Sequence, residues 1–139
     1  MKKYFILILS FISLSILSQE EKRLALVIGN ANYDKGVLKN PVNDALLIKT
    51  TLEKLNFDVI LDTNIQKIQD FKSVVRKFGE EREKYNVGFV YYAGHGIQIN
   101  NENFLLPTKE VFNSKYDVLD NALSVQNIMR YLTAKTNQV

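Results

Sequence analysis

The sequence predicts an α/β fold: a mainly parallel sheet covered by helices on both faces, in three layers. Two observations predict it. Short apolar runs with strand character alternate with stretches of helical periodicity. The first of those runs is continuously apolar, as expected of a strand buried on both sides. The chain has 139 residues, of which 46% are hydrophobic and 24% charged. That balance and length suit one globular domain with a single core.

The elements follow in order. Leu24-Ala25-Leu26-Val27-Ile28 is the first strand, ending at Gly29-Asn30. Asn40-Pro41 opens a helix, with Asn40 as N-cap and Pro41 at the first helical position. Ala45, Ile48, Leu52 and Leu55 recur at helical spacing and form its apolar stripe. Phe57 to Leu61 reads as the second strand. A long amphipathic helix follows, with Ile68, Phe71, Val75 and Phe78 facing in, and Tyr85 beyond them. Its end, Glu80-Glu81-Arg82-Glu83-Lys84, is a solvated run of mutually compensating charges. Val87 to Ala93, VGFVYYA, is the third strand. Asn103 to Pro107 is a short extended piece after a turn. Ser124 caps a last helix carrying Val125, Ile128 and Leu132. Thr136 to Val139 reads as the lead-in to a further strand, so the expected sheet is incomplete at the C-terminus, as in a truncated domain.

The N-terminus has a separate character. Lys2 and Lys3 precede an apolar run from Tyr4 to Leu17, then Ser18-Gln19-Glu20. A basic start, a short apolar run and a small residue are the marks of a secretory signal peptide. The run is shorter than the roughly 20 residues a membrane span needs. The expected arrangement is a signal peptide over 1–18, cleaved after Ser18, and a domain over 23–139 that is secreted or periplasmic, with no stable membrane span after cleavage. Removing 1–18 lowers the net charge from +3 to +1, because that segment holds two lysines and no acid. No basic stripe with interleaved aromatics remains, which argues against nucleic acid as a partner. The chain has no cysteine. It therefore has no disulfide, no lipid-anchored cysteine and no thiol chemistry of its own, although export would permit disulfides.

The chemistry gathers at the carboxyl ends of the strands, where open α/β sheets bind their ligands. His95, the one histidine, stands just past the third strand between Gly94 and Gly96. The two glycines would let the backbone turn sharply and let another group approach. The Gly96 amide could face a developing oxyanion, a donor worth about 2.7–4 kcal/mol in a transition state. A metal on His95 would have only carboxylates as further ligands, so no metal is expected. Gly29-Asn30-Ala31-Asn32-Tyr33 is neither a dinucleotide loop nor a phosphate loop. Asp44 lies in the first helix, at the same end of the sheet as His95. It reads either as an acid favouring the helix dipole or as a carboxylate looking toward a site.

LALVIGNANY, LKNPVNDA, FVYYAGHG and NFLLP, in that order, resemble the caspase-like cysteine peptidases. The likeness is to the bacterial caspase-family proteins and to the paracaspase and metacaspase branch, and it runs from Arg23 to Val139. The resemblance implies a three-layer α/β/α fold and peptide-bond cleavage by a Cys–His dyad without an organic cofactor. It places the histidine of the dyad on His95 and the oxyanion-binding glycine on Gly96. It places the paracaspase-type acid for a basic P1 side chain on Asp44. True caspases carry an arginine near the first strand for an acidic P1; Asn32-Tyr33-Asp34-Lys35 has none. The family's nucleophilic cysteine follows the next strand, and these 139 residues contain no cysteine, so this chain by itself is expected not to turn over peptides. Two other readings stay open: a non-catalytic caspase-like module that binds peptides or partners, and a nucleotide-binding α/β protein.

Overall fold

A computed structural model describes residues 21–133. The proposed signal peptide and the lead-in strand after Thr136 fall outside the described residues. Three strands form a parallel sheet in the order β2-β1-β3. They are β1 (Arg23–Gly29), β2 (Phe57–Thr63) and β3 (Val87–Ala93). Helix α1 (Pro41–Lys54) joins β1 to β2, and α2 (Ile68–Arg82) joins β2 to β3.

Alternation along β1 builds the three layers. Leu24, Leu26 and Ile28 point to one face and pack with Ile68, Phe71, Val75 and Phe78 of α2. Ala25 and Val27 point to the other face and pack with Ala45 and Leu52 of α1. Every β1 residue after Arg23 is buried, as the unbroken apolar run required. The four apolar residues expected to face inward from α2 are all buried. The chain is thus an α/β domain with helices on both sides of a parallel sheet.

A second, antiparallel sheet, absent from the sequence reading, follows β3. It has the order β4-β5-β6, from β4 (Gly96–Ile99), β5 (Glu102–Leu105) and β6 (Leu123–Ser124). Asn100 and Asn101 make the two-residue turn between β4 and β5, with φ of 50° and 64°. Positive φ at both central positions is the geometry of a type I′ hairpin. Helix α3 (Lys115–Asn121) was also not expected; Ser114 and Asp117 close it with a capping box. Helix α4 (Val125–Thr133) then packs beside α2 and under β3. Its first turn is capped as read, the Ser124 hydroxyl accepting the N–H of Gln126 at 3.1 Å.

Two details of the sequence reading are corrected. Asn40 does not cap α1 with its side chain; its backbone is already helical, and Pro41 alone marks the start. Leu55 is 54% exposed, because it is the C-cap and lies beyond the stripe. In the charge run at the end of α2, Lys84 and Glu81 pair at 3.0 Å as expected, but Arg82 is half-buried and its guanidinium donates to the Tyr85 and Asn86 carbonyls instead of to an acid. Among the described residues no helix is long and apolar enough to cross a membrane.

Candidate active site

The parallel ladder delivers His95 to its position. Ala93 ends β3 opposite Gly29, the end of β1, and its carbonyl accepts the Asn30 N–H at 2.8 Å. Gly94 and His95 then carry the chain out of one sheet and into the other. His95 therefore stands at the carboxyl end of β3, beside the loop that follows β1.

The imidazole is gripped from that loop. Its Nε2 lies 2.5 Å from the Gly36 carbonyl. A carbonyl only accepts, so Nε2 carries the proton in this contact and Nδ1 is the nitrogen with the free lone pair. Gly36 has φ +75°, and a Cβ there would sit 3.1 Å from Nε2, so this position suits only glycine. Tyr33 lies against the ring, centroids 4.4 Å apart. The loop itself is tied down: the Asn64 side chain accepts the N–H groups of Ala31 and Asn32 at 2.9 and 3.0 Å. An ion pair joins Asp34 to Lys109 across the way.

The backbone around His95 is held by two phenols. The His95 N–H donates to the Tyr33 hydroxyl at 2.8 Å. The Tyr92 hydroxyl donates to the His95 carbonyl at 2.8 Å, and the Leu106 N–H donates to the same oxygen at 3.0 Å. The two hydroxyls lie 3.1 Å apart. Burial pushes the pKa of both phenols above the ordinary tyrosine value, so both stay protonated and can donate. Fully buried Asn30 completes the cluster. Its amide donates to the Leu106 carbonyl at 3.2 Å, and its side-chain oxygen accepts the Ile65 N–H at 3.0 Å.

Gly96 pairs with Leu105 across the β4–β5 ladder. The Leu106 N–H to His95 carbonyl bond makes Gly96 and Leu105 a non-hydrogen-bonded pair, whose amides point away from each other. The Gly96 N–H therefore projects from the outer edge of β4, which pairs with no other described strand. Neither Gly94 nor Gly96 has a positive φ, contrary to the expectation of a sharp turn. Both are small for reasons of space: a Cβ on Gly94 would lie 2.5 Å from the Tyr92 hydroxyl and 2.7 Å from that of Tyr33.

Asp44 is exposed in the first turn of α1. That turn packs on the end of β1, a Cβ on Gly29 reaching within 2.8 Å of the Ala45 methyl. Asp44 thus shares the site end of the sheet with His95. It makes no hydrogen bond to His95 and does not line the cavity beside it. That cavity, about 180 Å³, opens between Tyr33, His95, Leu106, Pro107 and Val111. A larger groove of about 360 Å³ between α2 and α4 holds no site residue. Among the described residues no three His, Cys, Asp or Glu side chains gather as metal ligands would.

The sequence reading gave Asn30, Tyr33, Gly36 and Tyr92 no individual roles. Tyr33 and Tyr92 stand within the stretches quoted for the resemblance, which was the signal available. Their function depends on contacts spanning about 60 residues of chain, which no local pattern reports.

A parallel sheet between helices, with a histidine at the end of its third strand, defines an α/β domain whose candidate site lies at the carboxyl ends of its strands. The caspase domain family model matches residues 22–138, and the chain belongs to that family. Among curated proteins, it is 30% identical over 114 residues to the human mucosa-associated lymphoid tissue lymphoma translocation protein 1, and 29% identical over 114 residues to the mouse homolog. Each match covers 81% of this chain but 13% of the relative's length.

Proposed function

We propose that this domain is the histidine-bearing part of a cysteine-type endopeptidase that cleaves after a basic P1 residue. The observation that carries the reading is the pairing of His95 with Gly96. One residue offers an imidazole whose Nδ1 is left free by the Gly36 contact. The next offers an amide directed off the edge of β4. In the proposed reaction a thiol outside these 139 positions gives its proton to Nδ1, and the thiolate adds to the scissile carbonyl. The Gly96 N–H takes up part of the oxyanion's charge. The C–N bond then breaks, the imidazolium hands its proton to the leaving amine, and water releases the acyl group from sulfur. Asp44 would meet the guanidinium or ammonium of P1. The proposed place of action is the periplasm or the exterior, on the strength of the basic and apolar segment over 1–18.

The test begins with the coding DNA beyond Val139. If the frame runs through an apolar strand into a cysteine, the longer protein is assayed on peptides with Arg, Lys or Asp at P1. Cleavage after Arg or Lys, lost on the order of 10⁶-fold in the Cys→Ala variant and severely reduced in His95→Ala, is the expected result. Full activity in His95→Ala would sink the proposal. The absence of cysteine favours a second reading, a caspase-like module that binds peptides without cleaving them. A stop codon directly after Val139, with saturable peptide binding and no turnover, would select it.

A further inference from the structure

His95 and Gly96 share a peptide unit, and its orientation is set from outside. The plane of the 95–96 peptide carries the His95 carbonyl on one side and the Gly96 N–H on the other. Two donors, the Tyr92 hydroxyl at 2.8 Å and the Leu106 N–H at 3.0 Å, converge on that carbonyl. Fixing the oxygen fixes the direction of the opposite N–H. A carbonyl accepting two hydrogen bonds also polarises its own amide, which makes the N–H a stronger donor. The preceding peptide is fixed in the same way, because its N–H, on His95, ends on the Tyr33 oxygen at 2.8 Å.

Proton counting assigns the roles. Tyr33 accepts from the His95 N–H, so its own proton goes to the Leu106 carbonyl at 3.2 Å or to Tyr92 at 3.1 Å. Tyr92 spends its proton on His95. Neither hydroxyl is spare. Gly94 is the space in which they meet, and any side chain there would push them off the backbone.

We infer that Tyr33 and Tyr92 are positioning residues of the site: Tyr33 holds the His95 backbone and ring where Nε2 meets the Gly36 carbonyl, the contact that sets the tautomer, and Tyr92 aims and polarises the Gly96 amide. The inference rests on the peptidase reading for its purpose, but the geometry can be measured without turnover. Because the chain has one histidine, its imidazole nitrogens can be read without ambiguity in the full 139-residue protein by ¹⁵N NMR. In the unaltered chain Nε2 carries the proton. Tyr33→Phe removes the acceptor for the His95 N–H; that amide exchanges about tenfold faster, and the ring becomes a mixture of tautomers. Tyr92→Phe shifts the Gly96 amide proton upfield and leaves the His95 tautomer in place. A purely structural role would lower the melting temperature and move neither signal. Unchanged tautomer and unchanged Gly96 amide in folded variants would overturn the inference. If a variant does not fold, the unaltered chain decides: a His95 amide exchanging as fast as an exposed loop overturns it, and a protected one with an Nε2–H ring supports it. In a longer chain that supplies the thiol, Tyr92→Phe is expected to lower kcat about tenfold with KM unchanged. Failure of the peptidase reading would remove that turnover while leaving the NMR result intact.

Discussion

Replacing Asn30 tests the polar floor under the site. Asn30 is 0% exposed, and its side chain serves two backbone groups from distant segments. In Asn30→Ala the Leu106 carbonyl keeps the Tyr33 hydroxyl as a donor at 3.2 Å. The Ile65 N–H keeps none among the described residues, and Ile65 is only 4% exposed. An orphaned buried donor costs about 1–3 kcal/mol. The vacated side-chain volume adds to this, so about 2–4 kcal/mol is expected, a fall in Tm of roughly 4 °C for each kcal/mol in a domain of this size. Urea unfolding reads the total, and amide exchange at Ile65 locates it. Asn30→Asp separates donor from acceptor. The carboxyl keeps the bond from Ile65, but as an anion it would face the Leu106 carbonyl in a buried place. Burial raises a carboxyl's folded-state pKa above the unfolded value of about 3.9. Stability relative to the unaltered chain is then fully present below about pH 4 and lost as pH rises through the folded-state value. Asn30→Ala has no such pH dependence. A loss below about 0.5 kcal/mol in Asn30→Ala, or an Asn30→Asp stability difference that is flat between pH 4 and pH 8, would refute the reasoning.

Phe71 is fully buried between α2 and the sheet and stacks near Tyr92, centroids 6.1 Å apart; Phe71→Ala should cost about 3–5 kcal/mol, a large part of a typical domain's stability, measured by urea unfolding. Tyr33 and Tyr92 have folded-state pKa values raised by burial, so their contribution is intact below about pH 10 and lost as pH rises beyond it; in an absorbance titration of the seven tyrosines, these two should ionise only as the chain unfolds. Asp117 has its pKa lowered by the N–H of Asn113 and by Ser114, so the α3 cap persists above about pH 4 and is lost as pH falls through the depressed value; exchange at the Asn113 and Ser114 amides should accelerate there and not before.

The layered frame was legible because its signals are local. β1 is buried on both faces, so alternation vanished and an unbroken apolar run remained. α2 shows four inward residues at helical spacing, enough to orient it. The second sheet was hidden because its turn is Asn100-Asn101, which lacks the glycine that usually marks a type I′ hairpin. α3 has seven residues and a single buried one, Val118, too few to show a period. At the site, the position of His95 followed from strand order alone. Its partners did not. Gly36 reaches it through a loop and Tyr33 through the parallel ladder, across 59 and 62 residues of chain. Gly94 suggests a sharp turn in the sequence, but its smallness answers to two hydroxyls brought in by the fold.

Asp44 is the place where resemblance and geometry make different demands. The resemblance asks it to receive a basic P1 side chain, whereas the fold presents an exposed carboxylate without a described hydrogen-bond or ion-pair partner, near the end of β1. An exposed ion pair is worth about 0.2–1 kcal/mol, at most a fewfold in affinity, and is screened by salt. A charge-assisted bond in a closed pocket is worth about 1.5–3 kcal/mol, roughly 10- to 150-fold. The two cases separate in a binding titration of the 139-residue chain with peptides carrying Arg or norleucine at P1. If Asp44 alone makes the contact in water, Asp44→Asn weakens the Arg peptide two- to fivefold, and added salt erases the difference. If further acids from outside these residues close over the same side chain, the longer protein shows a much larger, salt-resistant loss in Asp44→Asn. An Arg peptide bound equally well by the unaltered chain and by Asp44→Asn at low salt, in both proteins, would remove Asp44 from the pocket and leave it as an acid placed to favour the start of α1.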